Sequence, residues 1–267
     1  MKNQEREFAS GERNEELKVE TVTFDSSSAE VLEALERDRI VSFDLGLTEK
    51  EREATSSLVI AKNSDNFHYW GKAGSSELKE RLNLFLADMG ENPEERIEEV
   101  SNLMVRIGEG LTKATDAQAV WYEVRSIIPN DYFVTPRWHT DAKFFNPLNA
   151  HKLVYAVKGK QTRFGVTTDQ EKFVQLSIAE NNEKHGSAED MRIREDLDRI
   201  VTEFHPGAEW GDAALYLVTG DEAVIHSEPL IDENRLFMSI IPGTEEEIAE
   251  MKRRMEEKWE RKKKSYT

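Results

Sequence analysis

The chain has 267 residues, of which 38% are hydrophobic and 33% charged, and 53 acidic against 36 basic side chains leave a net charge of −17. A surface of that sign repels phosphate backbones and anionic lipid, so neither nucleic acid nor a membrane is an expected partner. Cysteine is absent, which excludes disulfides and thiol chemistry and leaves histidines and carboxylates as the available metal ligands.

Residues 1–20 contain no apolar core and read as a solvated, disordered arm rather than a signal peptide. No apolar run approaches the length of a bilayer span, so the expected location is the cytoplasm. Order is expected to begin near Val22, followed by a helix over 29–35 capped from Ser26 to Ser28. Residues 40–43 read as a strand and 48–57 as a helix. Over 75–89, Leu78, Leu82, Phe85 and Met89 recur at helical steps, with Leu84 and Leu86 broadening the stripe. A longer helix is expected over 93–115, with Ile97, Val100, Leu103, Met104, Ile107 and Leu111 on one face. The first half is therefore mixed, with helices packed beside a sheet.

From Val120 the texture changes. Segments 120–128, 152–157, 162–166, 213–218, 222–226 and 235–241 are rich in β-branched and aromatic residues and separated by Gly, Asn and Pro turns. Such short strands suggest a jelly-roll class of antiparallel fold. Between them, 168–205 reads as an insert and a candidate lid, with a charged helix over 188–200. The last segment, 244–264, is a helix with Thr244 as cap, Glu245 to Glu247 in its first turn and Arg261 to Lys264 in its last. It is also a candidate dimer element.

Chemistry concentrates at Pro136-Arg137-Trp138-His139-Thr140-Asp141. His139 and Asp141 are two apart, so on an extended strand both side chains point to one face. An imidazole and a carboxylate so placed suit two legs of a facial metal triad, with a second imidazole arriving from elsewhere. His226 lies 85 residues beyond Asp141 in a strand-like run, and Arg235 follows nine residues later at the head of another. A chance His-x-Asp is expected roughly 0.3 times in a chain of this composition, so the tripeptide alone reads equally as a strand-end polar pair. Between 131 and 165 there are six basic and only two acidic residues. That local excess reads either as a positive mouth drawing small anions or as a strand edge defended by lysines. Trp138, Phe144, Phe145 and Tyr155 are candidates for the pocket lining or for the core. His68, His151, His185 and His205 receive no role.

The whole order (strand, His-x-Asp, strands, insert, strand with His, strand beginning with Arg) resembles the Fe(II)/2-oxoglutarate-dependent oxygenases over roughly residues 120–242. Residues 1–119 contribute nothing to the resemblance. It is also similar to an uncharacterised bacterial branch, with an aromatic-His-x-Asp segment before a distal His. The resemblance implies an α+β domain over 21–267. That domain would consist of a mixed part (21–119), a double-stranded β-helix, jelly-roll or cupin-like core (120–242) and a C-terminal helix (244–264). It implies His139, Asp141 and His226 as iron ligands and catalytic centre. Arg235 would then anchor the distal carboxylate of 2-oxoglutarate, a task that suits a planar guanidinium fork. One branch of the family adds a threonine from Gly-x-x-Thr-x-Phe. Gly159-Lys160-Gln161-Thr162-Arg163-Phe164 matches that segment, so Thr162 is a second cosubstrate ligand or simply a strand threonine. The implied activity uses Fe(II), 2-oxoglutarate and O2 to hydroxylate a small, carboxylated metabolite, releasing succinate and CO2. An aspartate at 141 implies hydroxylation rather than halogenation. Three alternatives stand beside it. One is a metallo-cupin of other chemistry, for which Glu228 is the only nearby extra carboxylate. The others are a non-catalytic binding protein and a peptide or protein hydroxylase.

Overall fold

The computed structural model describes residues 19–141, 150–204, 213–220 and 222–265, without side-chain detail at 65–66 and 261–265. In chain order, the first half contains β1 (Thr21–Thr23), α1 (Ser28–Asp38), β2 (Ile40–Asp44), α2 (Glu49–Ser56), β3 (Ser64–Gly71), α3 (Ser76–Met89) and α4 (Glu94–Ala114). The second half contains β4 (Ala119–Ile127), β5 (His151–Lys158), β6 (Arg163–Thr167), α5 (Gln170–Asn182), α6 (Ala188–Ile200) and β7 (Val201–Phe204). After these come β8 (Ala213–Leu217), β9 (Ile225–Ser227), β10 (Arg235–Gly243) and α7 (Glu245–Ser265).

Seven strands make a major sheet in the order β1-β2-β8-β5-β10-β4-β3, and three make a minor sheet, β7-β6-β9. Neighbours are antiparallel except for the edge pair β1 and β2. From β5 onward the chain passes back and forth: β5 in the major sheet, β6 and β7 in the minor, β8 major, β9 minor, β10 major.

The helices start where their caps dictate. Ser27 and Glu30 form a reciprocal capping box for α1, and Thr48 and Glu51 do so for α2. At α7, Glu247 N donates to Thr244 Oγ1 (3.2 Å) while Thr244 N donates to Glu247 Oε2 (2.9 Å). The stripe expected along α4 is buried throughout. On α3, Leu78, Leu82, Leu86 and Met89 enter the core, whereas Leu84 is 66% exposed. Gly108 lets α4 lie close on β4. A Cβ there would fall 1.6 Å from Tyr122 Oη, which donates to Met104 O at 3.1 Å.

Strand alternation divides the major sheet into two unlike faces. Val120, Tyr122 and Val124 of β4, Leu153, Tyr155 and Val157 of β5, and Leu236, Met238 and Ile240 of β10 join one apolar core with the helices. Their alternates Glu123, Arg125, Lys152, Val154, Arg235 and Phe237 line a cavity on the opposite side.

Several expectations need correction. Residues before 119, which carry none of the family pattern, supply three of the seven major-sheet strands. Of these, β3 had no expected counterpart, because Ser64, Asp65 and Asn66 read as loop formers at its start. The insert is shorter than 168–205, since Val201–Phe204 is a minor-sheet strand paired with β6. It also holds a second helix, α5, which buries only Phe173 and Glu180 and so has no readable stripe. The arm ends before residue 20. Val19 is 9% exposed and Glu20 O accepts from Ser42 N at 2.9 Å, while residues 1–18 lie outside the described residues. Within the chain, Ile248 and Met251 of α7 pack on Ala119, Trp121 and Ile241. Among the described residues no helix is long and apolar enough to cross a membrane.

Candidate metal centre

Residues just before Asp141 run extended beside β9. His139 N donates to His226 O at 3.0 Å and His226 N donates back to His139 O at 2.9 Å. Residues that exchange both bonds stand directly opposite with side chains on one face. Their rings are accordingly 4.4 Å apart, centroid to centroid. Asp141, two residues on, returns to the same face: its Oδ1 lies 4.0 Å from His139 Nε2 and its Oδ2 3.5 Å from His226 Nε2. One ligand atom from each of the three falls within 4.8 Å of the others. Cis ligand atoms on an ion with bonds of about 2.1 Å sit about 3 Å apart, so small side-chain rotations would close the set.

Both imidazoles are held the same way. His139 Nδ1 meets Arg137 O at 2.8 Å and His226 Nδ1 meets Val224 O at 3.2 Å. A carbonyl can only accept, so each Nδ1 carries the proton and each Nε2 presents a lone pair to the centre. Burial is the chief cause that pulls His226 down to about 4, outweighing the attraction of Asp141, so this ring is neutral at pH 7. For Asp141, burial pushes its carboxyl up, but Lys152 and the two imidazoles together hold it well below the usual carboxylate range. Lys152 Nζ reaches Asp141 Oδ2 at 2.7 Å.

The triad opens on a cavity of about 380 Å³ that also contains Arg235 and Thr162. Arg235 is 1% exposed. Its Nε donates to Lys160 O (2.8 Å), its Nη2 reaches Thr162 Oγ1 (3.4 Å), and its guanidinium lies 4.5 Å from the Phe237 ring centre. Burial lowers it to about 10, which leaves it a cation at neutral pH. The turn that covers it depends on Gly159, at φ 86°, where a Cβ would stand 3.2 Å from Arg235 Cα. Thus the five residues singled out in the sequence converge on one cavity.

Other side chains there were not foreseen as a set. Glu123 pairs with Arg125, the fully buried Tyr216 hydroxyl lies against the Asp141 carboxylate, and Glu228 buries Oε2 without a hydrogen-bond partner among the described residues. Glu228 is held below the usual range; burial raises it, but His139, its backbone, His226 and Arg235 outweigh that. The only signal for these residues was a polar residue at alternate positions of an otherwise apolar strand, as in Tyr122-Glu123-Val124-Arg125.

Two aromatic candidates for the lining belong elsewhere. Trp138 points away from its neighbour His139, as strand alternation requires, and packs with Phe173, Ile193 and Leu197 of the insert. Its Nε1 donates to Asp198 Oδ1 at 2.8 Å. Tyr155 faces the helical core. Phe144 and Phe145 lie outside the described residues, as does His205. The insert is docked rather than free: Arg137 Nε donates to Glu180 Oε1 at 2.6 Å, and the fully buried Arg194, paired with Asp190 of its own helix, donates to Tyr132 O at 3.1 Å and to Tyr132 Oη at 2.7 Å. Glu180, His185 and Asp190 also bring ligand atoms within 4.8 Å of one another. Arg137 and Arg194 already neutralise those carboxylates, which makes this an ionic latch. His185, given no role, does line the cavity from the insert.

Of the six basic residues over 131–165, four are paired with carboxylates. Arg137 pairs with Glu180, Lys152 with Asp141, Lys160 with Asp232 and Arg163 with Glu203. Lys158 donates to Ser56 O and Leu58 O at 2.7 Å each, and Lys143 lies outside the described residues.

No protein-family model matches the sequence, and no curated relative does. Among solved structures, the chain is similar to a dioxygenase for auxin oxidation from rice, at 9% identity and a TM-score of 0.45, over 84% of this chain and 83% of that one. A prolyl-4-hydroxylase from Pseudomonas putida aligns at 14% identity and a TM-score of 0.36, covering 81% of this chain and 98% of its own. An oxidoreductase of the 2OG-Fe(II) oxygenase family from Burkholderia pseudomallei aligns at 10% identity and 0.36, covering 84% and 93%.

Proposed function

We propose that this protein is an Fe(II)- and 2-oxoglutarate-dependent oxygenase that hydroxylates a small molecule. His139 Nε2, Asp141 and His226 Nε2 would hold the metal. Arg235 and Thr162 would hold the distal carboxylate of 2-oxoglutarate. The observation that carries the reading is the convergence of two Nε2-presenting imidazoles, one carboxylate and a buried guanidinium on one cavity. Two nitrogens and an oxygen on one face suit ferrous iron and leave its other positions to ligands from the cavity. Arg235 fits an anionic cosubstrate because, among the described residues, its guanidinium hydrogen-bonds to a carbonyl and a hydroxyl and to no carboxylate. The passage of successive strands between two sheets supports a double-stranded β-helix as the frame.

When bound, iron, 2-oxoglutarate and O2 supply the oxidising chemistry, with the cosubstrate leaving as succinate and CO2. The protein's part is positional. The paired backbone bonds of His139 and His226 fix two donors, Lys152 holds one oxygen of Asp141, and the α5–α6 insert walls the cavity against water. The test is succinate formation from 2-oxoglutarate by Fe(II)-loaded protein, with His139→Ala as control. In Mn(II)-loaded protein, Arg235→Ala should weaken 2-oxoglutarate binding by about 10- to 100-fold, the worth of a charge-assisted hydrogen bond. Manganese affinity should stay within twofold or so. Equal loss of both would remove Arg235 from its assigned place.

A further inference from the structure

His139 and His226 present the same nitrogen to the centre, but the carbonyls that hold their rings are anchored differently. Val224, whose O meets His226 Nδ1, is fixed by a backbone bond, its N donating to Leu217 O at 3.0 Å. Arg137, whose O meets His139 Nδ1 at 2.8 Å, belongs to no strand. Side chains anchor it instead. Ser227 Oγ accepts from Arg137 N at 2.9 Å, and Glu180 accepts from the guanidinium twice, from Nε at 2.6 Å and from Nη2 at 3.2 Å. Trp138, the next residue, is tied through Nε1 to Asp198 of α6 at 2.8 Å. Both helices of the insert therefore grip the segment that delivers one metal ligand.

Glu180 is an unexpected residue for its place. Its helix, α5, buries only Phe173 and Glu180, and Glu180 is 3% exposed. A carboxylate loses its hydration on burial, and pairing it with a cation returns little net stability. Two apolar side chains would hold the helix as well, so folding free energy does not account for an acid here. What apolar side chains cannot do is fix a guanidinium in one plane through two parallel bonds. Arg194 Nε stands 4.0 Å from the same carboxylate, beyond hydrogen-bond distance, and is engaged by Asp190 and Tyr132. Arg137 is the cation that Glu180 orients.

We infer that Glu180 is a positioning residue for the metal centre: by clamping Arg137 from the insert, it fixes the carbonyl that sets the tautomer and ring orientation of His139. The paired backbone bonds to His226 fix where the His139 backbone lies. The Arg137 carbonyl fixes where Nε2 points, and metal affinity depends on that orientation. Asn181, next to Glu180, lines the cavity, so the wall of the cavity and one leg of the triad form a single clamped unit. This inference rests on the metal-binding part of the proposed function and is independent of the cosubstrate and substrate.

For the test, full-length protein is titrated with Co(II), whose visible absorption reports coordination geometry, and unfolding is followed in metal-free protein. Glu180→Met removes both acceptors. It should weaken Co(II) binding about tenfold and alter the visible spectrum, the lower range for losing an outer partner of a ligating histidine. Glu180→Gln, which keeps one acceptor for the guanidinium, should lose less. Phe173→Ala loosens α5 without touching the clamp, so it should lower stability while Co(II) affinity stays within about twofold and the spectrum is unchanged. In an Arg137→Met background, Glu180→Met should change affinity by no more than about twofold, because the group it acts through is gone. If Glu180→Met does not fold, Arg137→Met alone serves in its place, with the same loss expected. The inference is overturned if Glu180→Met binds Co(II) with the affinity and spectrum of the parent, or if Glu180→Gln loses as much as Glu180→Met. It is also overturned if Phe173→Ala weakens binding as much, which would mark a merely structural role, or if the full loss recurs in the Arg137→Met background. A parent protein that binds no Co(II) would overturn the metal-centre reading and this inference with it, whereas the other outcomes leave that reading standing.

Discussion

The two faces of the major sheet are made by the same strands and obey opposite rules. On the helix-facing side, Leu153, Tyr122, Leu236 and their neighbours are apolar or capped by a single bond, and α1 to α4 cover them. On the other side, one residue along each strand, stand Lys152, Glu123 and Arg235. Where the chain needs stability it buries methyl groups. Where it needs chemistry it buries charge and holds it with partners of opposite sign, Asp141 for Lys152 and, two residues along the same strand, Arg125 for Glu123. A sheet with one dry face can carry such a costly second face because the first supplies the folding free energy.

Four perturbations would break or sharpen that contrast. The largest effect is expected from His226→Ala, on the minor-sheet strand that lines the same cavity as the chemical face. It should cut succinate formation by at least about 100-fold, the upper range for loss of even an outer-sphere partner of a metal. Far-ultraviolet dichroism should stay native, because the backbone bridge to His139 persists; an unfolded variant would mean that the two faces are not separable. On the dry face, Leu153→Ala should lower unfolding stability by about 2–5 kcal/mol. Manganese affinity of the molecules that remain folded should not change. Its neighbour Lys152 points to the other side, and Lys152→Met should cost about 3 kcal/mol in metal-free protein by stranding the Asp141 carboxylate. Saturating Mn(II) should recover most of that loss in a denaturant titration, since the ion replaces the missing cation; an unrecovered loss would make Lys152 a packing residue.

The smallest effect concerns pH. His226 is depressed from 6.5 to about 4 in the folded chain. Below 6.5 the unfolded state therefore takes up a proton that the folded state refuses. The stability tied to this group is complete above pH 6.5 and is lost as pH falls toward about 4, by on the order of 3 kcal/mol. Metal-free His226→Phe should show a flatter stability profile across that window, and an unchanged slope would show that another group carries it.

Much of this organisation is legible in the chain. The apolar stripe of α4, the caps of α1 and α7 and the strand composition from Val120 onward are local properties, written in spacings of two and in three- and four-residue helical steps. His-x-Asp is local too, because period-two geometry puts both side chains on one face wherever the segment is extended. Other features have no local trace. Leu84 and Leu86 are alike in sequence, and only the packing of α3 sends one to solvent and the other to the core. Trp138 and Tyr155 looked suited to a pocket, yet strand facing assigned them to the insert and to the core.

The sequence by itself determined which residues could carry metal chemistry and that they would lie on strands, because residue type and alternation are properties of neighbours. Tertiary structure alone decided that His226 stands opposite His139, that Arg235 and Glu228 share their cavity, and that four cations of the basic stretch find carboxylates. Those facts depend on segments tens to more than a hundred residues apart, brought together by strand register and the crossing between sheets, and no local pattern encodes such distances.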